Sequence, residues 1–355
     1  MTAIANEVPP KRKRKWLLLA LAFGAGLVAL SPWFAGVPGD SGDRLFRGKP
    51  ESKWIRNLRY DVPETGQAKE WRAYGEEGVQ VLIRGLKRAD RPRERAYRRF
   101  YRVLPGLVAR SLPDPKKDST RDSRVIICTL MVDLGKDAQS AVPVMARSLR
   151  DEDVQVRHYA LTFFGWPPGG DAVLSLMNEE EKTSVLPDLI RVTQEPGNRI
   201  NGLSALKYFL RQQEIVTPFL LTCLQDPDSR IRILAAEALR RVNPSVAKKA
   251  GALAIVLGIA KDPRDIRAAQ AIEALRKFSD EREAVVPALI ECLQSTNVLV
   301  ACSAVWILEW PNDFGKYADT IVPALTRAAQ RSDSVAGYAK GALKRYQADG
   351  DPRSQ

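Results

Sequence analysis

From residue 137 onward, apolar side chains recur at helical spacing, in pairs of short runs separated by polar turns. In residues 219–242, Phe219, Leu220, Cys223 and Leu224 form one stripe. Ile231, Leu234, Ala235, Ala238, Leu239 and Val242 form a second, at the 3.6-residue period of a helix. Between them, QDPDS ends one helix and starts the next. Pro227 cannot continue the first, and Asp228 or Ser229 can accept the amide hydrogens left unbonded at the start of the second. Segments of this kind recur at Pro143, Pro187, Pro218, Pro287 and Pro323, with Ala254 as a copy lacking proline. Eight residues after each comes a polar turn residue: Asp151, Glu195, Asp226, Asp262, Ser295 and Arg331. Successive anchors lie 44, 31, 36, 33 and 36 residues apart, so the internal offset is constant while the period varies. That combination predicts a repeat built from helix pairs. Nine residues after the turn the side chain is often small (Ala160, Ser204, Ala235, Ala304), which suits close packing of the second helix, while Phe164, Tyr208 and Leu308 are expected to fill the same face.

The stretches AVPVMARSLRDEDVQVRHYAL, VTPFLLTCLQDPDSRIRILAAEAL and VVPALIECLQSTNVLVACSAV resemble the HEAT-repeat family, in particular its short repeats of the phycobilisome-lyase type. The resemblance covers residues 137–347, as six helix pairs. It implies a right-handed α-solenoid, an extended concave surface, and a role in protein–protein interaction. In that family a turn Asp and an Arg early in the second helix form a ladder between repeats. Asp151/Arg157, Asp226/Arg232 and Asp262/Arg267 match that pattern, whereas Asn201, Ala301 and Gly337 occupy the Arg position of the other copies.

Ahead of the repeats the pattern changes. Residues 1–15 carry five Lys/Arg and one acid, and an uncharged run follows from Trp16 to Pro38. Leu17–Val37, as a helix, would span about 31 Å, the thickness of a bilayer core. Trp16 and Trp33 fall near its ends, where amphipathic rings favour the interface. The run reads as a transmembrane anchor or, alternatively, as a cleaved signal peptide. The basic block keeps the N-terminus cytoplasmic and sends the repeats across, into the periplasm if the cell is bacterial. The expected organisation is therefore a basic tail (1–15), an anchor (16–38), a linker with one short amphipathic helix (39–66), irregular Arg-rich helices forming a degenerate repeat (67–136), six repeats (137–347) and a polar tail (348–355). The fold class is all-α: a right-handed α-solenoid of HEAT-like helix pairs preceded by one N-terminal transmembrane helix.

The formal charge of +13 is concentrated. Residues 84–124 hold 14 basic and 5 acidic side chains, while 125–355 are balanced. On a helix running from Arg91 to Val108, the side chains of Arg91, Arg95, Arg98 and Arg102 share one face. Ala96, Phe100, Val103, Leu104 and Leu107 gather opposite, and Pro105 should kink or divide the helix. That stripe is either a solvated outer face or a binding face for an anion: lipid headgroups, an acidic protein, or nucleic acid, the last disfavoured for an exported domain.

Chemistry is constrained by counting. One histidine, His158, cannot furnish a His-rich metal site, and Cys128, Cys223, Cys292 and Cys302 contain no CxxC pair. Cys292 and Cys302 lie symmetrically about the turn at Asn297, so a disulfide between them is a candidate. No phosphate-binding glycine loop or nucleophile elbow is present. The expectation is a non-enzymatic, membrane-tethered scaffold without cofactor or metal, binding an unidentified protein partner. A nucleic-acid binder and a HEAT-like enzyme are the alternatives.

Overall fold

The structure is a computed structural model that describes residues 43–58, 66–110, 120–165, 173–262 and 264–349. Two compact units divide the chain after Asn57. Among the described residues no helix is long and apolar enough to cross a membrane. The expected tail and anchor, residues 1–38, lie outside them.

In the first unit, residues expected as a linker fold into a small motif. Strands β1 (Leu45–Phe46) and β2 (Lys49–Pro50) form an antiparallel hairpin that leads directly into α1 (Glu51–Arg56). Arg47 (φ 48°) and Gly48 (φ 75°) supply the two left-handed residues that a tight two-residue hairpin requires. The indole N–H of Trp54 donates to the Phe46 carbonyl at 2.9 Å, and its ring meets Phe46 edge-on. Asp43 accepts from both the amide and the hydroxyl of Ser52.

The second unit is a stack of helix pairs. After α2 (Gly66–Ala73) come α3 (Gly75–Ala89), α4 (Pro92–Val103), α5 (Gly106–Ala109) and α6 (Thr120–Leu134). Next are α7 (Val142–Ser148), α8 (Val154–Gly165), α9 (Val173–Leu176), α10 (Glu179–Thr193) and α11 (Arg199–Leu206). The chain continues through α12 (Gln213–Cys223), α13 (Ser229–Val242), α14 (Pro244–Lys249), α15 (Ala252–Lys261) and α16 (Ala268–Leu275). It closes with α17 (Arg282–Cys292), α18 (Val298–Leu308), α19 (Pro311–Phe314), α20 (Ala318–Ala328) and α21 (Val335–Asp349).

The six expected pairs are α7/α8, α10/α11, α12/α13, α15/α16, α17/α18 and α20/α21, and their second helices pack on one another in series. A seventh layer precedes them. Helix α3 packs on α6, and α6 packs on α8, the second helix of the next pair. The degenerate repeat therefore pairs α3 with α6, and the Arg-rich helix α4 is part of an insertion between the two.

Asp228 is the residue that caps α13, accepting from the Arg230 amide at 2.8 Å. Asn178 and Glu181 close a reciprocal capping box at the start of α10, which accounts for the EEE run at 179–181. Ala160, Ala235 and Ala304 are fully buried between layers. Phe164 and Leu308 are buried as expected, but Phe209 takes the place expected for Tyr208. Helix α11 ends at Leu206, which turns Tyr208 outward to a position flanked by the cations of Lys207 and Arg241. Each fully buried Phe or Leu contributes about 1.5–3 kcal/mol of hydrophobic stabilisation. Two glycines allow two close crossings, of α8 with α11 and of α10 with α11. A Cβ on Gly165 would lie 2.3 Å from the Asn201 carbonyl oxygen, and one on Gly202 would lie 1.9 Å from the Thr193 hydroxyl.

Candidate binding surface

The turns bind layer to layer, by a different pairing from the one expected. Asp151, Asp226 and Asp262 each use one carboxylate oxygen to hold their own turn, accepting from the amides of Asp153, Asp228 and Arg264. Arg157 and Arg232 donate to the backbone carbonyls of Asp151 and Asp226, not to their carboxylates. No bond joins the side chains of Asp262 and Arg267; the Arg267 amide donates to Asp265. The carboxylates are met from the preceding layer. Arg124 pairs with Asp151, Arg157 with Glu195 (Nε–Oε1 2.8 Å) and Arg199 with Asp226. Ser229 continues the series to Asp265 at 3.0 Å. Arg199 lies two positions before Asn201, and Arg124 lies outside the aligned copies, which is why the sequence pattern missed both. Asn201 is committed elsewhere: its amide donates to Thr162 on α8 at 2.9 Å. The single histidine adds a joint of the same kind, His158 Nδ1 to Asn198 Oδ1 at 2.7 Å.

The Arg stripe is placed differently from its expected arrangement. The expected helix divides at Pro105 into α4 and α5, with Arg91 as the N-terminal cap residue of α4. Arg95 and Arg102 are exposed, but Arg98 is only 3% exposed. Its Nη1 donates to the Ala89 carbonyl at 3.0 Å and its Nε to Glu152 at 3.2 Å. The face expected to be apolar and packed is open: Val103 is 78% exposed, Ala96 is exposed, and Phe100 and Leu104 are half-buried. The physical reason is topological. As an insertion, α4 has no layer behind its apolar side among the described residues, and ionic contacts hold its other side. Glu152 collects three of its arginines, Arg98 (3.2 Å), Arg99 (3.3 Å) and Arg102 (3.7 Å). Burial pushes the Glu152 carboxyl upward, but hydrogen bonds from Arg98 and Arg99 and the nearby arginine charges outweigh it. The net effect lowers its pKa. Arg98 is shifted downward by burial and by the charge of Arg124.

Between α3, the start of α4, and the α7 turn lies a cleft of about 520 Å³. Its walls carry Lys87, Asp90, Arg91, Arg95, Arg99, Arg147, Arg150, Asp151 and Glu152, with Leu86, Pro92 and Val144 below them. Two of the cations, Arg147 and Arg150, come from the second layer, which composition alone did not flag.

Cys292 and Cys302 are not bonded; all four cysteines are free. Cys292 approaches the Ala260 carbonyl of the previous layer, while Cys302 approaches Ser334 of the next, so their sulfurs point in opposite directions along the stack. Burial pushes the Cys128 thiol up to about 12 and that of Cys292 to about 11, so both stay protonated at neutral pH. In the last two layers Trp306 and Trp310 are partly exposed beneath the guanidiniums of Arg276 and Arg345. Glu309 pairs with Arg345, and Asp313 with Arg282. Trp166 lies outside the described residues.

The HEAT repeats family matches residues 183–276, which span layers three to five. No curated protein matches the chain. Among solved structures, the complex of CpcE and CpcF of phycocyanin lyase from Nostoc sp. PCC7120 is similar at 18% identity and a TM-score of 0.38, over 87% of this chain and 97% of that one. A designed armadillo repeat protein in complex with the peptide (KR)4 is similar at 15% identity and a TM-score of 0.36, over 58% of this chain and 99% of that one. The α-solenoid itself is defined by the serial packing of the helix pairs.

Proposed function

We propose that this protein is a non-enzymatic interaction scaffold, tethered to a membrane by residues 17–37, with its repeats on the far side of that membrane. The observation that carries the scaffold reading is the uninterrupted series of second helices from α6 to α21, which forms one long wall from many short units. Such a wall suits recognition of an extended protein surface. Partly exposed aromatic side chains near its end, Trp306, Trp310 and Tyr338, are the residue types that dominate binding at protein interfaces. An Arg-rich end, where α4 meets the second layer, is the contact for an anionic partner. The tether rests on the basic block at 11–15 and the uncharged run after it.

In-cell crosslinking and pull-down test the scaffold. The intact chain should capture a defined protein, and a Trp306→Ala/Tyr338→Ala variant should lose it. Capture that is unchanged by the substitutions removes this wall as the binding surface. Alkaline phosphatase fused after Gln355 tests the topology, since that enzyme is active only outside the cytoplasm. Inactivity of the fusion sinks the placement of the repeats.

A further inference from the structure

The cleft between α3, α4 and the α7 turn has more cations than anions on its walls. Its walls carry six basic side chains, Lys87, Arg91, Arg95, Arg99, Arg147 and Arg150, against three acidic ones. Those three acids are already engaged. Asp151 is held by Arg124, which is fully buried, and Glu152 by Arg98, which is 3% exposed. Asp90 pairs with Arg95 at 3.7 Å. Neither Arg98 nor Arg124 lines the cleft, so two of the wall carboxylates also serve cations behind the wall. Of the wall cations, Arg95 and Arg99 share the wall acids and Arg150 pairs with Asp188. Lys87 and Arg147 are exposed and have no acidic partner among the described residues. Behind the wall, Nη2 of Arg98 and both Nε and Nη2 of Arg124 are buried without a hydrogen-bond acceptor. Orphaned guanidinium donors of this kind are costly unless negative charge lies close by.

We propose that this cleft binds a compact phosphoryl group, presented either as a free phosphate compound or as a phospholipid headgroup. This deepens the anionic-partner reading given above and rests on it. Shape and donor type argue for phosphoryl over an extended acidic peptide. The volume is that of a small-ligand site and not of a long groove. Five of the six cations are arginines, whose planar forks match phosphate oxygens in pairs. Two layers contribute to the site, so an occupant would also tie α4 to α7.

Full-length protein in neutral-lipid nanodiscs is titrated calorimetrically with inorganic pyrophosphate, and separately mixed with phosphatidylcholine vesicles with and without phosphatidylglycerol. Pyrophosphate should bind, more weakly as salt rises, and the exposed double variant Lys87→Glu/Arg147→Glu should bind about tenfold more weakly or worse. The melting of the variant should match the wild type. If vesicles containing phosphatidylglycerol are bound with the same dependence on the variant and pyrophosphate is not, the source is the lipid. Absence of binding to both probes, or binding indifferent to the double variant, overturns the proposal. Polyglutamate bound in preference to both overturns it in favour of an acidic protein. Partner capture through Trp306 and Tyr338 is read independently, so the cleft can fail while the scaffold stands.

Discussion

Helices α4 and α13 are both amphipathic and arginine-rich, yet they bury opposite things. Helix α13 buries Ile231, Ile233, Ala235, Ala236, Ala238, Leu239 and Val242 and leaves its arginines at the rim. Among the described side chains of α4, the only one fully enclosed is Arg98, while Val103 faces solvent. An amphipathic pattern states which face could be buried; whether it is buried depends on a neighbour. The second helix of an inner repeat has one on each side, and the inserted helix has none behind it among the described residues. Apolar burial therefore holds the layers together, with charged joints added at their turns, whereas the insertion is held mainly by charge.

The largest test of this contrast is Arg124→Met. It would leave Asp151, itself nearly enclosed, without its cation, and breaking a buried pair from one side costs about 3–5 kcal/mol. Urea denaturation showing a loss below about 1 kcal/mol would mean that the first joint does not depend on charge. Next is Gly202→Ala, which forces a methyl group into Thr193 and should cost about 1–3 kcal/mol. Gly258→Ala is its foil: nothing lies within 4 Å of a Cβ there, so α15 should gain about 0.5–1 kcal/mol.

Glu152→Gln sharpens the comparison itself. Proteolytic cleavage within 89–110 should accelerate several-fold while the melting of the stack moves by no more than about 1 kcal/mol. The same joint should respond to pH. Because the folded Glu152 carboxyl is held below its ordinary value, its contribution is complete above the unfolded glutamate pKa of about 4.3. It is lost as pH falls through the lower folded value. Hydrogen exchange in α4 should therefore be constant from neutral to mildly acid pH and rise below it, and a rise beginning near pH 6 would contradict this account. The smallest effect belongs to Arg150→Ala, which breaks an exposed pair with Asp188 and should change stability by less than about 0.5 kcal/mol.

The six repeats were legible because burial on a helix with fixed neighbours leaves a period, and because Pro227 and Asp228 mark ends by local chemistry. The seventh was hidden by its insertion. The arginines of α4 recur at helical spacing directly after α3, so they mimic a second helix, while the true partner α6 lies about thirty residues on. The hairpin at 45–50 escaped because its strands have two residues each, too few to show alternation, and because Arg47 adopts a conformation usually given to glycine. The inter-layer ladder was half visible. Turn acids at a fixed offset could be seen, but not that the cation reaching each one comes from the layer before. The cleft could not be read at all, since Arg147 and Arg150 join Lys87 and Arg95 only when the first two layers stack.

That ladder has a direction. At the turn carboxylates of the first five layers the donor sits one layer nearer the N-terminus than its acceptor: Arg124, Arg157, Arg199 and Ser229 each reach forward. The backbone carbonyls beside the turns are met in the opposite sense: Arg191 reaches back to Leu149, and Arg331 to Leu293 and Ser295. A chain emerging from the ribosome N-terminus first thus presents each outstretched donor before the turn that will receive it exists. Each of the first four layers ends in a side-chain donor reaching out for the turn that follows it.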